Sequence, residues 1–166
     1  METTVNFQNR KINWIKLIMC VLGVIIIGSI SGLANIGNIE TWYAGLEKPS
    51  FNPPNSIFAP VWTTLYGLMG VGLYLIWYAP QSKARSQGVK VFFIQLSFNF
   101  CWSFIFFYFH QPGLAAIEIV LLWGLIVYMI NRFYQVSKVA AYLQVPYLLW
   151  VSFATVLNIS IWWLNH

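Results

Sequence analysis

Residues 12–34 read INWIKLIMCVLGVIIIGSISGLA, an apolar run in which Lys16 is the single charged residue. A helix rises about 1.5 Å per residue, so about 20 apolar residues cross the roughly 30 Å hydrocarbon core of a bilayer. Four further runs of this kind follow, at about 57–79, 89–109, 113–132 and 139–163. The sequence therefore predicts an all-α fold, a bundle of five transmembrane helices with a long structured loop between helices 1 and 2.

The composition agrees with a membrane protein and leaves little chain for an aqueous domain. Of 166 residues, 59% are hydrophobic and only 8% are charged, against roughly a quarter charged in soluble domains. We therefore predict one integral membrane domain, residues 1–166, surrounded by lipid. The net charge of +5 would suit nucleic acid. The basic residues stand in small groups at helix ends and form no single face, however, so no nucleic-acid partner is expected.

The basic residues also predict the orientation of the chain in the membrane. Eight of the nine lysines and arginines lie at alternate junctions between the apolar runs: Arg10, Lys11 and Lys16, then Lys83, Arg85 and Lys90, then Arg132 and Lys138. Cytoplasmic junctions carry the excess of Lys and Arg, which predicts a cytoplasmic N-terminus and, after five spans, an external C-terminus. Arg10 and Lys11 before an apolar run resemble a signal peptide, but the run is too long, and we expect helix 1 to be retained.

The connection between the first two runs differs from an ordinary polar spacer. Residues 35–56 read NIGNIETWYAGLEKPSFNPPNS and carry Lys48 as their one basic residue. Pro49, Pro53 and Pro54 fix the backbone and lower the entropy cost of holding one conformation. Two interpretations stay open: a rigid connector, or a lid that closes the outer mouth of a pocket with its aromatic side chains over a ligand.

Unusual residues inside the predicted helices share one layer near the outer ends. Trp62, Trp102, Glu118 and Asn158 lie about 8–11 Å from the nearest outer helix end, and Asn99 and Ala154 about 14–15 Å. Residues four apart share one face of a helix. That spacing places Gln95, Asn99 and Ser103 on one stripe, and Pro146, Trp150, Ala154 and Asn158 on another.

Polar side chains at this depth avoid lipid and face the bundle interior, where two interpretations stay open. They either join helices by hydrogen bonds or orient a ligand in a mainly apolar pocket. The pocket interpretation assigns the wall to Trp62, Tyr66, Trp102 and Trp150, with Ala154 as a smooth floor. The role of Glu118 also stays open, with three alternatives: it interacts with the helix dipole, extends outward to water, or contacts a ligand directly.

Glycines in the first two helices have the spacing of close helix packing. Gly28 and Gly32 form a small-xxx-small motif, which serves a contact within the chain or a homodimer interface. Gly67, Gly70 and Gly72 are expected to serve helix packing as well.

The two cysteines give no sign of a metal centre. Cys20 and Cys101 lie inside predicted helices, without a CxxC motif or a histidine cluster. They predict buried free thiols, with neither a structural disulfide nor a metal site.

Several separated motifs in the loop and the later helices occur in a characteristic order. They are Trp42-Tyr43, Leu46-Glu47-Lys48-Pro49-Ser50-Phe51, Pro53-Pro54, Ala59-Pro60-Val61-Trp62, Tyr66-Gly67, Asn99-Phe100-Cys101-Trp102-Ser103, Pro146-Tyr147-Leu148-Leu149-Trp150, Phe153-Ala154-Thr155 and Leu157-Asn158. In these motifs the chain resembles the TspO/MBR family, the tryptophan-rich sensory proteins of bacteria and the translocator protein, or peripheral benzodiazepine receptor, of animals. The resemblance covers about residues 35–165.

The resemblance implies a five-helix membrane protein, often a homodimer, with a pocket beneath the first loop. This pocket accepts tetrapyrroles such as protoporphyrin IX and ligands of the isoquinoline carboxamide or benzodiazepine type; no cofactor is required. By the resemblance, the ligand-binding positions are Trp42, Tyr43, Pro49, Trp62, Tyr66, Asn99, Trp102, Trp150 and Ala154. The implied function is a ligand-binding sensor or receptor. The alternatives are a transporter of porphyrins and a light-dependent porphyrin-degrading activity, for which Trp62 and Trp150 are the redox candidates.

The end of the chain departs from the animal members of the family. Their cholesterol-recognition motif in helix 5 requires a basic residue after its tyrosine, whereas this chain ends IWWLNH. A match to that loose pattern occurs at Leu125, Tyr128 and Arg132, but such patterns are weak indicators. Sterol binding is therefore doubtful, and the expected location is a bacterial plasma membrane.

Overall fold

The computed structural model of the chain describes residues 12–166, and this part is helical, with turns and short irregular segments between the helices. The helices are α1 (Trp14–Ser31), α2 (Trp42–Gly45), α3 (Asn55–Trp77), α4 (Lys83–Ser103), α5 (Pro112–Tyr134), α6 (Lys138–Tyr142) and α7 (Val145–Leu164). A 3₁₀ turn, Gly32–Asn35, extends α1, and a π-helical turn, Phe104–Tyr108, extends α4. Five helical segments of the described chain are long and apolar enough to cross a membrane. The predicted all-α, five-span fold is confirmed, and the chain is an integral membrane protein.

The third span begins six residues earlier than predicted. The apolar run predicts a helix from 89, after a connection at 79–88, whereas α4 begins at Lys83. Ser82 caps the helix, because its side chain accepts a hydrogen bond of 3.1 Å from the Arg85 backbone N–H. The Arg85 side chain donates in turn to the Trp77 carbonyl at 3.1 Å. The cap and the contact with the end of α3 stabilise the first turn of α4. This turn is polar, so the apolar run alone does not predict it.

The last span is interrupted near its start, which the sequence analysis does not predict. The short α6 ends at Tyr142, and α7 begins at Val145 with Pro146 in its first turn. Proline has no backbone N–H and is tolerated at this position. Gln144 is fully buried at the break and donates to the carbonyls of Leu68 and Ala140 at 3.4 and 3.3 Å. The break therefore lies against α3.

Glycines of the first two spans let α1 and α3 approach closely. A Cβ atom at Gly28 would overlap the ring of Tyr66, and one at Gly70 would lie 2.5 Å from the Val21 Cα atom. Gly28 thus serves a contact within the chain. The prediction for Gly67 is wrong, because nothing in the described chain lies within 4 Å of a Cβ atom built there.

Basic residues gather at one end of the bundle, which we call the basic end. There the Lys16 ammonium lies 4.5 Å from the Tyr78 ring centroid, and the Lys138 ammonium lies 5.5 Å from that of Tyr134. Arg10 and Lys11, which belong to the predicted pattern, lie outside the described residues. We call the opposite end, where residues 36–54 lie, the loop end. The assignment of the basic end to the cytoplasm stays a prediction.

The two cysteines are free, but only Cys20 is buried. Cys101 is exposed on the surface of its span, so the prediction of two buried thiols is wrong for this residue. Among residues 12–166 there is no group of three His, Cys, Asp or Glu side chains that could hold a metal ion.

We predict that Gly70→Ala destabilises the protein by about 1–3 kcal/mol, the usual cost of overpacking a well-packed contact. The new methyl group would press against the backbone of Val21 and Cys20 and force α1 away from α3. A lower midpoint of thermal unfolding in detergent measures the effect. Gly67→Ala on the same helix is the matched control and should leave the midpoint unchanged or slightly higher. Equal midpoints for the two variants would contradict the packing role of Gly70.

Candidate ligand-binding cavity

A cavity of about 460 Å³ lies at the loop end, between the spans and beneath the first loop. Its size falls within the roughly 300–1,000 Å³ of small-molecule sites. Five parts of the chain surround it: the end of α1 with its 3₁₀ turn, the loop after it, the start of α3, the end of α4 with its π-helical turn, and α7. The lining residues include Ser31, Asn35, Tyr43, Phe58, Trp62, Tyr66, Trp102, Phe106, Phe107, Trp150, Ala154 and Asn158.

Eight of the lining residues are aromatic, and several of their rings contact one another. Trp62 stacks on Tyr66 at 5.3 Å between ring centroids, with an interplanar angle of 27°. On the other wall Trp102 stacks on Phe106 at 5.2 Å and 22°. Phe58 meets Trp150 edge to face at 5.8 Å. Such pairs stabilise each other beyond their buried area, so the wall is preformed and presents ring faces and edges to an occupant.

Hydrogen bonds orient the polar groups around the cavity. The Tyr66 hydroxyl donates to the Asn99 side-chain carbonyl oxygen at 2.8 Å. The Trp102 indole N–H donates to the Asn158 side-chain oxygen at 3.1 Å, and the Asn158 amide donates to the Pro112 carbonyl at 2.9 Å. These amides therefore join helices and at the same time position aromatic residues of the wall. Asn158 fits both sequence interpretations, because it joins helices and lines the cavity, whereas Asn99 joins helices without lining it.

The structure brings six of the nine predicted ligand-binding residues to the cavity and places three elsewhere. The six are Tyr43, Trp62, Tyr66, Trp102, Trp150 and Ala154. Asn99 is buried behind Tyr66, which covers it. Trp42 lies in an outer layer, where it stacks on His110 at 4.4 Å between centroids. Pro49 occupies a turn of the loop and accepts a hydrogen bond of 2.9 Å from the Asn52 N–H.

Several lining residues escape the sequence analysis. Phe58 stands four residues before Trp62 and shares its helix face, a spacing that could have identified it. Ser31 and Asn35 are polar residues at the end of an apolar run, and they carry a weaker signal. Phe106 and Phe107 lie in the π-helical turn, and both line the cavity. No sequence pattern marks that turn, although such turns are frequent at functional sites.

The first loop is held in one conformation by side-chain hydrogen bonds. Asn165, at the end of α7, accepts from the Glu47 N–H and donates to the Glu47 carbonyl, each at 3.0 Å. Within the loop, the Tyr43 hydroxyl donates to Asn52 at 3.0 Å, and the Lys48 ammonium lies 4.8 Å from the Tyr43 ring centroid. Burial raises the pKa of Tyr43, and the bond to Asn52 lowers it by less. The phenol is thus protonated at neutral pH and acts as the donor.

Glu118 takes neither of two positions considered from the sequence, contact with a ligand in the cavity and extension to water, and its interaction with the helix dipole stays a prediction. It does not line the cavity, and its side chain does not extend to water, because it is only 8% exposed inside the bundle. Within residues 12–166, neither carboxylate oxygen has a hydrogen-bonding partner.

The fold and the cavity together define a class of protein: a five-span integral membrane protein with an aromatic ligand-sized cavity beneath a structured loop. The family model described as TspO/MBR family matches residues 19–164. The chain belongs to the TspO/MBR family of translocator and sensory membrane proteins.

Relatives from all three domains of life support this assignment. The chain is 39% identical to a protein named Tryptophan-rich protein TspO from Archaeoglobus fulgidus, over 92% of this chain and 99% of the relative. It is 42% identical to the human Translocator protein, over 75% of each chain. It is 46% identical to a Tryptophan-rich protein TspO from Chlorobaculum tepidum, over 75% of this chain and 79% of the relative.

We predict that Asn165→Ala loosens the first loop without unfolding the bundle. The variant loses two hydrogen bonds to the Glu47 backbone, each worth about 0.5–1.5 kcal/mol, so exchange of the Glu47 amide should accelerate by about tenfold or more. Hydrogen exchange with mass spectrometry on a peptide covering residues 46–50 measures it. Asn131→Ala, an exposed change at the basic end, is the control. Unchanged exchange at Glu47 would show that Asn165 does not restrain the loop.

Proposed function

We propose that this protein is a membrane sensor or receptor that binds planar aromatic ligands, tetrapyrroles above all, in the cavity beneath the first loop. Protoporphyrin IX is the proposed ligand, and isoquinoline carboxamide and benzodiazepine-type compounds are proposed to occupy the same cavity. The observation that carries the proposal is the aromatic wall: Trp62, Tyr66, Trp102 and Trp150 all face one preformed space of ligand size.

The chemistry of the wall suits such ligands. Large flat ring systems gain from stacking and edge-to-face contacts, and a few fixed polar groups select the orientation of a ligand in an apolar site. Ala154 leaves room where a larger side chain would occupy the cavity. The loop held by Asn165 would cover the occupant and keep it from water. In this proposal the loop end faces outward, as the positive-inside rule predicts for a bacterial plasma membrane protein.

We predict that Trp62→Ala and Trp150→Ala each weaken protoporphyrin IX binding by about tenfold, because the loss of an aromatic contact costs about 0.5–1.5 kcal/mol beyond buried area. Asn99→Ala should weaken binding less, since Asn99 acts through the position of Tyr66. The measurement is a titration of detergent-purified protein in the dark, followed by the Soret band of the porphyrin.

Trp163→Ala is the matched control for this titration, because Trp163 is 76% exposed at the end of α7. Its affinity should equal that of the wild type. Binding that does not saturate, or that is indifferent to Trp62 and Trp150, would refute the cavity as the tetrapyrrole site.

A second candidate function is light-dependent oxidation of the bound porphyrin. It is favoured by the position of Trp62 and Trp150, two redox-capable indoles on the wall of the same cavity. The pigment and dioxygen would supply the chemistry, and the protein would hold the pigment beside an electron donor.

If this activity exists, Trp62→Phe or Trp150→Phe should abolish the light-driven loss of porphyrin absorbance while changing affinity by less than about tenfold, or roughly 1.4 kcal/mol. Phenylalanine keeps the aromatic contact and removes the oxidisable indole. Illumination of protein saturated with porphyrin measures the rate. Degradation that continues at the wild-type rate in both variants would exclude these residues as redox partners.

Transport of the same ligands is the alternative class, and the name of the human relative favours it. Five spans do not divide into the two equal halves that many secondary transporters possess. Saturable binding without movement of porphyrin across proteoliposomes would support the receptor, and saturable flux would support the transporter.

A further inference from the structure

A buried carboxyl group lies inside the bundle without the partners that such groups normally have. Glu118 stands in the second turn of α5 and is more than nine-tenths buried, with both oxygens unpaired among residues 12–166. An ionised carboxylate removed from water in this way costs several kcal/mol unless a cation or hydrogen-bond donors compensate. A carboxyl group in a membrane span marks a functional site by default.

The surroundings of Glu118 are polar but uncharged. The Tyr147 hydroxyl, fully buried on α7, donates to the Gln95 side-chain oxygen of α4 at 2.9 Å. The Tyr66 hydroxyl of α3 donates to Asn99 of α4 at 2.8 Å. Tyr147 lies within electrostatic range of both Tyr66 and Glu118. We call Tyr66, Gln95, Asn99, Glu118 and Tyr147 the polar cluster.

Basic side chains of the described chain stand away from the polar cluster. Lys16, Lys83, Arg85, Lys90, Arg132 and Lys138 belong to the helix segments of the basic end. In the loop, the Lys48 ammonium donates to the carbonyls of Ala44 and Leu46. His110 stacks on Trp42, and His166 contacts Trp162. The group that interacts electrostatically with Glu118 is the Tyr147 phenol of α7, which is itself bonded to the Gln95 amide of α4.

A neutral carboxyl group fits this cluster better than a carboxylate. Once protonated, Glu118 has one O–H donor. The Tyr147 hydroxyl oxygen gives its own hydrogen to Gln95 and retains acceptor capacity. The acid can donate to it through one internal water, or directly after a change of its side-chain rotamer. The reaction is a plain protonation: the carboxylate takes one proton from solvent, and no electron moves.

We propose that Glu118 is a proton-binding site of this protein, occupied at neutral pH, and that the occupant of the aromatic cavity acts on it through Tyr66. The second part rests on the proposed ligand-binding function. Tyr66 supplies the connection, because its ring lines the cavity against Trp62 while its hydroxyl belongs to the polar cluster. A ligand that displaces the Tyr66 ring disturbs the bond to Asn99. It thereby acts on Tyr147, which interacts with Tyr66 and Asn99 and lies within electrostatic range of Glu118.

The composition of the chain makes the test unusually direct. Its four acidic residues are all glutamates: Glu2, Glu40, Glu47 and Glu118. The triple variant Glu2→Gln, Glu40→Gln, Glu47→Gln keeps Glu118 as the single carboxyl side chain. Infrared spectroscopy of this variant in lipid at pH 7, with ¹³C-labelled glutamate, reports whether a protonated carboxyl stretch exists. Glu118→Gln in the otherwise unchanged chain should lack that band.

The expected result is a carboxylic acid band at pH 7 in the wild type and in the triple variant, shifted in frequency when protoporphyrin IX saturates the protein. Tyr66→Phe should keep the band and reduce the shift by at least half. If the triple variant shows only carboxylate absorption, the proposal of a proton site is overturned. This outcome is measured without the Glu118→Gln variant, so it does not depend on whether that variant folds.

The same experiment separates the failure of this proposal from that of the proposed function. A band that stays unchanged while the Soret titration shows full occupancy overturns the coupling through Tyr66. A band that is present while no porphyrin binds refutes the proposed ligand and supports the proton site by itself.

Discussion

The constraint on which the rest of the structure depends is the absence of water in the bilayer core. Every backbone N–H and C=O there must find a partner within the protein, which requires continuous helices and confines irregular backbone to the ends. The break at Leu143–Gln144 follows the same rule, since the Gln144 side chain supplies a donor to the carbonyls of Leu68 and Ala140. The cavity lies at the loop end, where irregular backbone is tolerated and the loop satisfies polar groups with the help of side-chain bonds.

Tyr66 connects the packing of the bundle to both of its unusual features. Its ring occupies the space left by Gly28 and stacks on Trp62, so a single side chain seals α1 against α3 and forms part of the cavity wall. Its hydroxyl reaches Asn99 and so joins the polar cluster. Cavity and cluster are therefore adjacent parts of one interior, separated by this residue. A phenol suits that position because one end is apolar and the other needs a hydrogen bond.

The first loop owes its order to a few specific contacts. The prolines restrict its backbone, and Asn165, directly after α7 and 118 residues away in sequence, forms a hydrogen bond with Glu47 that fixes its position. His110, between the third and fourth spans, stacks on Trp42 and contacts Asn38 at 3.3 Å. The loop is thus attached to two other connections at the same end of the bundle. The loop is therefore held over the cavity by contacts that exist only in the assembled bundle.

The sequence by itself determined the number of spans, the grouping of basic residues, the shared layer of Trp62, Trp102 and Asn158, and six of the predicted ligand-binding residues that do line the cavity. The spans and the residues within helices follow from the length of apolar runs and from helix periodicity, which are local properties, whereas Tyr43 was identified by the resemblance to the family. Only the tertiary structure decided that Asn99 lies behind Tyr66, that Trp42 packs outside, and that Glu118 is buried without a partner. Those positions depend on how the helices rotate against each other. Such rotations are set by contacts between distant residues, such as Gly28 with Tyr66, which no local pattern encodes.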